Sequence, residues 1–262
     1  LDLNIDSTSG RGHRLQLAVE AVEVKTATST FKLTHLGIDA RAQGPLTAPR
    51  ALTVRTASVA FEGFQVQAKG SIDFLGPVYE LDTEVTGDLA RLSKVFPQAP
   101  PLKGQIDIKG QLSGVLTKPR FSGQIEVDGG RIAGFGLGDS VQANFTGDRK
   151  SIRFDPLRVA LDDGRAEGSA ELSLSPLRLA FAAQPQSISL ARVLHEVGLG
   201  GSWADLTASG TLDLQGPLSP IDLRGQLTLD VDDFSVQDRA IGSPGAQTFL
   251  AIERARVQSD WG

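Results

Sequence analysis

Cysteine is absent from all 262 residues, so neither a disulfide framework nor thiol chemistry is available to the chain, and an oxidising compartment is compatible with it. Methionine is absent as well and the first residue is Leu1, which leads us to expect an excised or processed segment whose N-terminal signal or anchor lies outside it. The three histidines, His13, His35 and His195, stand too far apart in sequence to read as a metal cluster, and no metal or other cofactor is expected. One Tyr and two Trp are too few for a base-stacking platform or for the aromatic girdles of an outer-membrane barrel. A net charge of −5, with Lys and Arg scattered, gives a phosphate backbone little to hold, so no nucleic-acid partner is expected. No run approaches the roughly 18 to 20 consecutive apolar residues of a membrane-spanning helix; membrane contact by another route stays open.

What is present is alternation. In "GQIDIKG" Ile106 and Ile108 alternate with Asp107 and Lys109, in "GQIEVDG" Ile125 and Val127 alternate with Glu126 and Asp128, and "RGQLTLDVDD" does the same with Leu227, Leu229 and Val231. Period two is the mark of strands with one apolar and one wet face. Further runs read likewise, among them Leu15 to Val19, Gly37 to Ala42, Phe64 to Phe74, Tyr79 to Val85, Leu157 to Leu161 and Ala166 to Leu174. Short strands between Gly, Pro, Asn and Asp turns are therefore expected almost throughout. Two segments depart from this. "LARLSKVF" (Leu89 to Phe96) and "LARVLHEVGL" (Leu190 to Leu199) carry apolar residues at helical spacing and predict two short amphipathic helices.

The punctuation repeats. Leu89 maps to Leu190 and Pro119 to Pro220, both a step of 101, while "VAFEGFQVQAKGSIDF" from Val59 echoes "VALDDGRAEGSAELSL" from Val159. The chain therefore reads as one continuous repetitive β segment with approximate units 1–88, 89–189 and an incomplete 190–262. More than a dozen amphipathic strands carry more apolar face than two short helices can cover. Exposed apolar area costs roughly 25 cal/mol per Å², so the faces need a cover: a second sheet, closure of the sheet on itself, or a trough filled by an apolar ligand. The 29 glycines, which mark bends and bulges in strands, suit a sheet curled across its width, although a sandwich would use the same residues.

Residues that invite a chemical reading have plainer ones. "GFGLG", Gly134 to Gly138, has neither the spacing of a dinucleotide loop nor a following helix and reads as a turn. Asp230, Asp232 and Asp233 lack a calcium-loop pattern and read as a solvated strand edge. His195 beside Glu196 reads as a surface histidine, Asp162 and Asp163 as turn residues, and "NFT" from Asn144 matches a glycosylation acceptor by letter only. No nucleophile, base and orienting group come together in sequence, and we expect a non-enzymatic chain with no catalytic residue.

One stretch carries a family likeness. "PLKGQIDIKGQLSGVLTKPRFSGQIEVDGGRIAG", followed by "SIRFDPLRVALDDGRAEGSAELSL", resembles the repeated pattern of the AsmA-like superfamily, most closely its TamB (translocation and assembly module) branch. The likeness spans about Leu36 to Val236 and is strongest from Leu89 onward. It implies an all-β fold: an elongated, repetitive antiparallel β-sheet curled into a U-shaped β-taco, with a hydrophobic groove for phospholipid acyl chains. It also implies a periplasmic setting in a diderm bacterium, inner-membrane anchoring of the full-length protein, and an outer-membrane β-barrel protein as a partner in outer-membrane biogenesis. Matching the pattern assigns the groove lining to Ile106, Ile108, Leu112, Ile125, Val127, Ile132, Leu157, Val159, Leu161, Leu172, Leu174, Leu212, Leu214, Leu227, Leu229 and Val231. Two other readings stay open at this point: a scaffold or chaperone for outer-membrane protein assembly or secretion, and a dry-core structural β-repeat or adhesin module.

Overall fold

A computed structural model of the protein describes residues 2–8, 12–25, 30–45, 47–76, 78–92, 101–115, 117–132, 135–161, 164–189, 204–218, 222–239, 247–251 and 255–261. The fold is all-β and every paired ladder described is antiparallel. The chain divides into two compact units, one formed by Leu1–Gly134 with Asn144–Arg149, the other by Phe135–Ala143 with Lys150–Gly262.

The first unit is an up-and-down succession of β1 (Asp2–Thr8), β2 (Gly12–Lys25), β3 (Thr30–Gln43), β4 (Ala51–Phe61), β5 (Phe64–Asp73), β6 (Val78–Asp88), β7 (Leu102–Val115) and β8 (Lys118–Ile132). Each pairs with the next in sequence. After β9 (Phe135–Gly136), β10 (Ser140–Asp148) is divided between the units. The second unit continues with β11 (Ser151–Leu161), β12 (Gly164–Leu174), β13 (Leu177–Gln186), β14 (Ile188–Ser189), β15 (Ala204–Pro217), β16 (Arg224–Arg239), β17 (Gln247–Ala251) and β18 (Ala255–Trp261). β15 pairs with β13, β14 and β16; β16 then takes β17 along its end and β18 along its start.

Alternation builds these strands residue by residue. Along β5, Phe64, Val66, Ala68, Gly70 and Ile72 are buried or half-buried, while Gln65, Gln67, Lys69, Ser71 and Asp73 are exposed. The turn into β5 is the pair Glu62 and Gly63, both at positive φ (43° and 85°), the geometry whose twist matches a two-residue hairpin. The ring of Phe61 then stacks on that of Phe64 at 5.7 Å.

Glycines do more than end strands. β7 runs through Gly104, Gly110 and Gly114 and β8 through Gly123, so both are longer than the short runs the sequence suggests. Gly110 lies directly opposite Gly123, and a Cβ on Gly123 would collide with the Lys109 carbonyl oxygen. Its counterpart in the repeat, Gly225, stands in the same relation to the Asp213 carbonyl. At these crossings neighbouring backbones approach too closely for any side chain.

The units build the same hairpins. In β4, Arg55 and Thr56 oppose the single residue Lys69, a bulge between the pairs Val54–Gly70 and Ala57–Ala68. In β11, Asp155 and Pro156 oppose Ser169, a bulge between Phe154–Ala170 and Leu157–Gly168, 100 residues further on. A bulge is one of the few interior strand positions that accepts proline. The compact units do not coincide with the sequence repeats, because β6 and β7 fall on either side of the 88/89 repeat boundary yet pair from Val78–Val115 to Asp88–Gln105. Of the two expected helices, the first opens as a single 3-10 turn, Leu89–Arg91, capped by the Asp88 carboxylate accepting from the Ala90 amide at 2.9 Å. The remainder from residue 93 onward, and the whole of Leu190 to Leu199, lie outside the described residues.

Candidate functional site

Residues directly opposite each other in a ladder share a face, so register converts strand patterns into rows. In the first unit one row reads Val19, Leu36, Val59, Val66, Val85, Ile108 and Ile125 across seven consecutive strands. A second, four residues along each strand and five along the bulged β4, reads Leu15, Ala40, Val54, Gly70, Leu81, Leu112 and Phe121. Between them runs a row of smaller residues, Ala57, Ala68, Thr83, Gly110 and Gly123. The one hydroxyl in that row is turned into the sheet: Thr83 Oγ1 donates to the Gly110 carbonyl at 3.1 Å and leaves its methyl facing outward.

The second unit has rows of its own. Leu157, Gly168, Ala183, Leu212 and Leu227 form one, and Phe154, Ala170, Phe181, Leu214 and Gly225 the next. Of the sequence-assigned residues, Ile106 lies opposite Val127, Ile108 opposite Ile125, Val159 opposite Ala166, Leu161 opposite Gly164, and Leu172 between Ile152 and Leu179. Leu229 pairs with Gly210 and Val257, and Val231 with Ala208 and Ala255. Ile132, paired with Leu102, and Leu174, paired with Leu177, sit at strand ends and are exposed. The first half of the wall, from Leu36 through Val85, is missing from the sequence assignment although its strands alternate just as clearly. The likeness that selected the lining is strongest only after Leu89.

The opposite face carries the charge. Lys109 stands beside Glu84 (3.6 Å) and Asp107 (3.9 Å), Arg158 beside Glu167 (3.5 Å), and Arg153 beside Asp155 (2.7 Å), all exposed. Pairs of this kind contribute about 0 to 1 kcal/mol each. The best formed joins Arg14 and Asp39, whose two oxygens accept from Nε at 3.1 Å and from an amino group at 2.7 Å. The Arg14 hydrogen bonds hold the Asp39 carboxyl below its ordinary range against an opposing cost of desolvation, with lesser help from the charges of Arg14 and Arg55 and from Gln16.

Most wall residues are half-buried: among the described residues no large side chain is fully buried, and the buried apolar set is five alanines with Val54, Phe64, Tyr79, Leu89 and Val127. Comparisons of the chain with family models, with curated proteins and with solved structures returned no match.

The other residues that sequence singled out take structural places. Phe135 and Gly136 of "GFGLG" form β9, and Gly138, at φ 104°, turns the chain so that the Asp139 amide reaches the Ala160 carbonyl. Asp230 is not on an edge, since it pairs with Ser209 on one side and Arg256 on the other; Asp233 pairs with Thr207. His13 and His35 lie on different strands, opposite Ala42 and Ala60 respectively; Asn144 lies within β10. His195, Glu196, Asp162 and Asp163 are outside the described residues. Among the described residues no three His, Asp or Glu side chains come together as a metal site, and no helix is long and apolar enough to cross a membrane.

Proposed function

We propose that the chain is a segment of a lipid-transfer conduit, in which phospholipid acyl chains lie against the apolar rows as the layer the protein does not itself supply. The observation that carries this reading is that apolar rows cross the ladders of each unit with most of their side chains only half-buried. A dry-core adhesin repeat would need an opposing sheet at that position. The AsmA-like pattern supports the same reading and extends it to a U-shaped groove in the periplasm, anchored at the inner membrane and conducting phospholipid toward the outer membrane.

Magnitude explains the use of such a wall. Two acyl chains carry about 30 methylenes, and at about 0.8 kcal/mol each their exposure to water costs on the order of 20 kcal/mol. A continuous apolar surface removes most of that barrier at every position along the path. Head groups, which need water, would stay at the open side.

The test is extraction of the purified chain with organic solvent and mass spectrometry of the extract. Phospholipid is expected with the wild type and a severalfold lower yield with Ile125→Asp, which sets a carboxylate in the first unit's apolar row on β8. A lipid-free wild type that also refuses fluorescent phospholipid would overturn the proposal. A photocrosslinker at Ile125 that traps only polypeptide would favour the chaperone reading instead.

A further inference from the structure

Among the described residues the large exposed apolar side chains are not scattered: all but Ile132 cluster at hairpin tips at one end of the strands within their unit. In the first unit Phe74, Leu75 and Val78 form the β5–β6 tip, with Leu75 77% exposed, and Val115 on the next hairpin lies directly opposite Val78. The tip is held rather than loose. The Leu75 amide donates to the Asp73 carboxylate at 2.8 Å, and the Phe74 amide to the Arg50 carbonyl at 2.9 Å. That second bond brings in the end of the β3–β4 connection, and with it a cation.

Exposed cations flank this apolar end. Arg50 lies on one side, and Lys118 and Arg149 on the other, where an Arg149 guanidinium nitrogen reaches the Thr117 carbonyl at 3.4 Å. The acids at the same end are Asp73, whose carboxylate takes the tip's own amide, and Asp148. Cations therefore outnumber acids here, in a chain whose net charge is −5.

The second unit builds the same arrangement independently. The Leu174 amide donates to the Lys150 carbonyl at 2.8 Å, again joining an apolar tip to a basic residue 24 positions earlier, and exposed Leu177 and Arg178 complete it. Apolar groups held outward among basic ones match the chemistry of an anionic lipid surface, with hydrocarbon to receive the tips and phosphate to meet the cations. Of these tip residues only Leu174, which follows Leu172 in phase at the end of β12, is among those assigned to the wall from sequence.

We propose that these hairpin tips, Phe74, Leu75 and Val78 with Arg50, Lys118 and Arg149 in the first unit and Leu174 and Leu177 with Lys150 and Arg178 in the second, dock the strand ends onto an anionic lipid bilayer. The proposal does not depend on the wall carrying lipid.

Flotation of the full chain with vesicles tests it, using phosphatidylcholine alone and phosphatidylcholine mixed with phosphatidylglycerol. Wild type is expected to float with the anionic vesicles and to be released by salt. Arg50→Gln with Lys118→Gln and Arg149→Gln should lower that partition at least about tenfold, since each cation near an anionic surface contributes roughly fivefold. Phe74→Ser with Leu75→Ser should lower it while leaving the far-ultraviolet circular dichroism and the solvent-extractable lipid of the chain unchanged. No binding by wild type, equal binding to neutral vesicles, or tip variants that float like wild type would each overturn the proposal. So would sedimentation showing that the tip variants merely convert a dimer to a monomer, which would assign the tips to a second copy of the chain.

Discussion

Thr83 and Asp39 illustrate how single residues keep the two faces distinct. Thr83 is polar by letter but spends its hydroxyl on the Gly110 carbonyl, so the wall meets only its methyl. Asp39 faces the other way, and its carboxyl is held low by the Arg14 guanidinium. A depressed folded value means that the pair contributes stability above the ordinary aspartate value of 3.8 and loses it as pH falls from there through the lowered folded midpoint. Carbon-13 titration of the Asp39 carboxyl should therefore give a midpoint below 3.8, moving back toward it in Arg14→Gln; an unchanged midpoint in the variant would remove Arg14 as the cause. Because Asp39 is a surface group, global stability should barely respond. At this scale the alternating residues, such as Ile125 against Glu126, were legible in the sequence. The role of Gly123 was not, because its need for an absent Cβ arises from the carbonyl of a strand that only the register brings near.

Among elements, the bulge in β4 lies between two halves of a strand that present one apolar face. Arg55 and Thr56 together occupy the space of one residue, which keeps Leu52 and Val54 in phase with Ala57 and Val59. Deleting Thr56 removes the extra residue and leaves Arg55 alone opposite Lys69, so Leu52 and Val54 stay on the face of Ala57 and Val59 and the strand becomes regular. We therefore expect the deletion to cost well under about 2 kcal/mol in urea unfolding, the loss that would follow if two half-buried aliphatic side chains were returned to water, and Thr56→Ala to be nearly silent. A deletion that costs that much would show that the bulge itself is needed to hold the two halves in phase. The existence of most strands could be read from period two, and the repeat from its Gly and Pro punctuation. Strand length could not: a glycine inside β7 carries the same letter as a glycine that ends a strand, and only the facing backbone distinguishes them. The sequence likewise placed Asp230 on an edge because nothing local to β16 announces that β18 will pair along it.

For the whole molecule, the deciding quantity is the apolar surface that the described strands leave half-buried. A ligand that binds only the folded form raises stability by about 2.7 kcal/mol when present at 100 times its dissociation constant. Added phospholipid should accordingly raise the unfolding temperature of delipidated protein by several degrees and suppress its aggregation, as read by a thermal scan with light scattering. A scan indifferent to phospholipid would argue that the rows bind nothing.

The absence of a large, fully enclosed side chain among the described residues has a consequence for how such a chain can change over time. Where two layers interlock, each residue's shape is dictated by the one it meets, and replacements are screened one against another. A wall bordered by fluid hydrocarbon imposes no such fit: valine, leucine, isoleucine and phenylalanine become near-equivalents, and only the beat of greasy and wet positions is policed. Lineages built this way can drift far in spelling while keeping their rhythm.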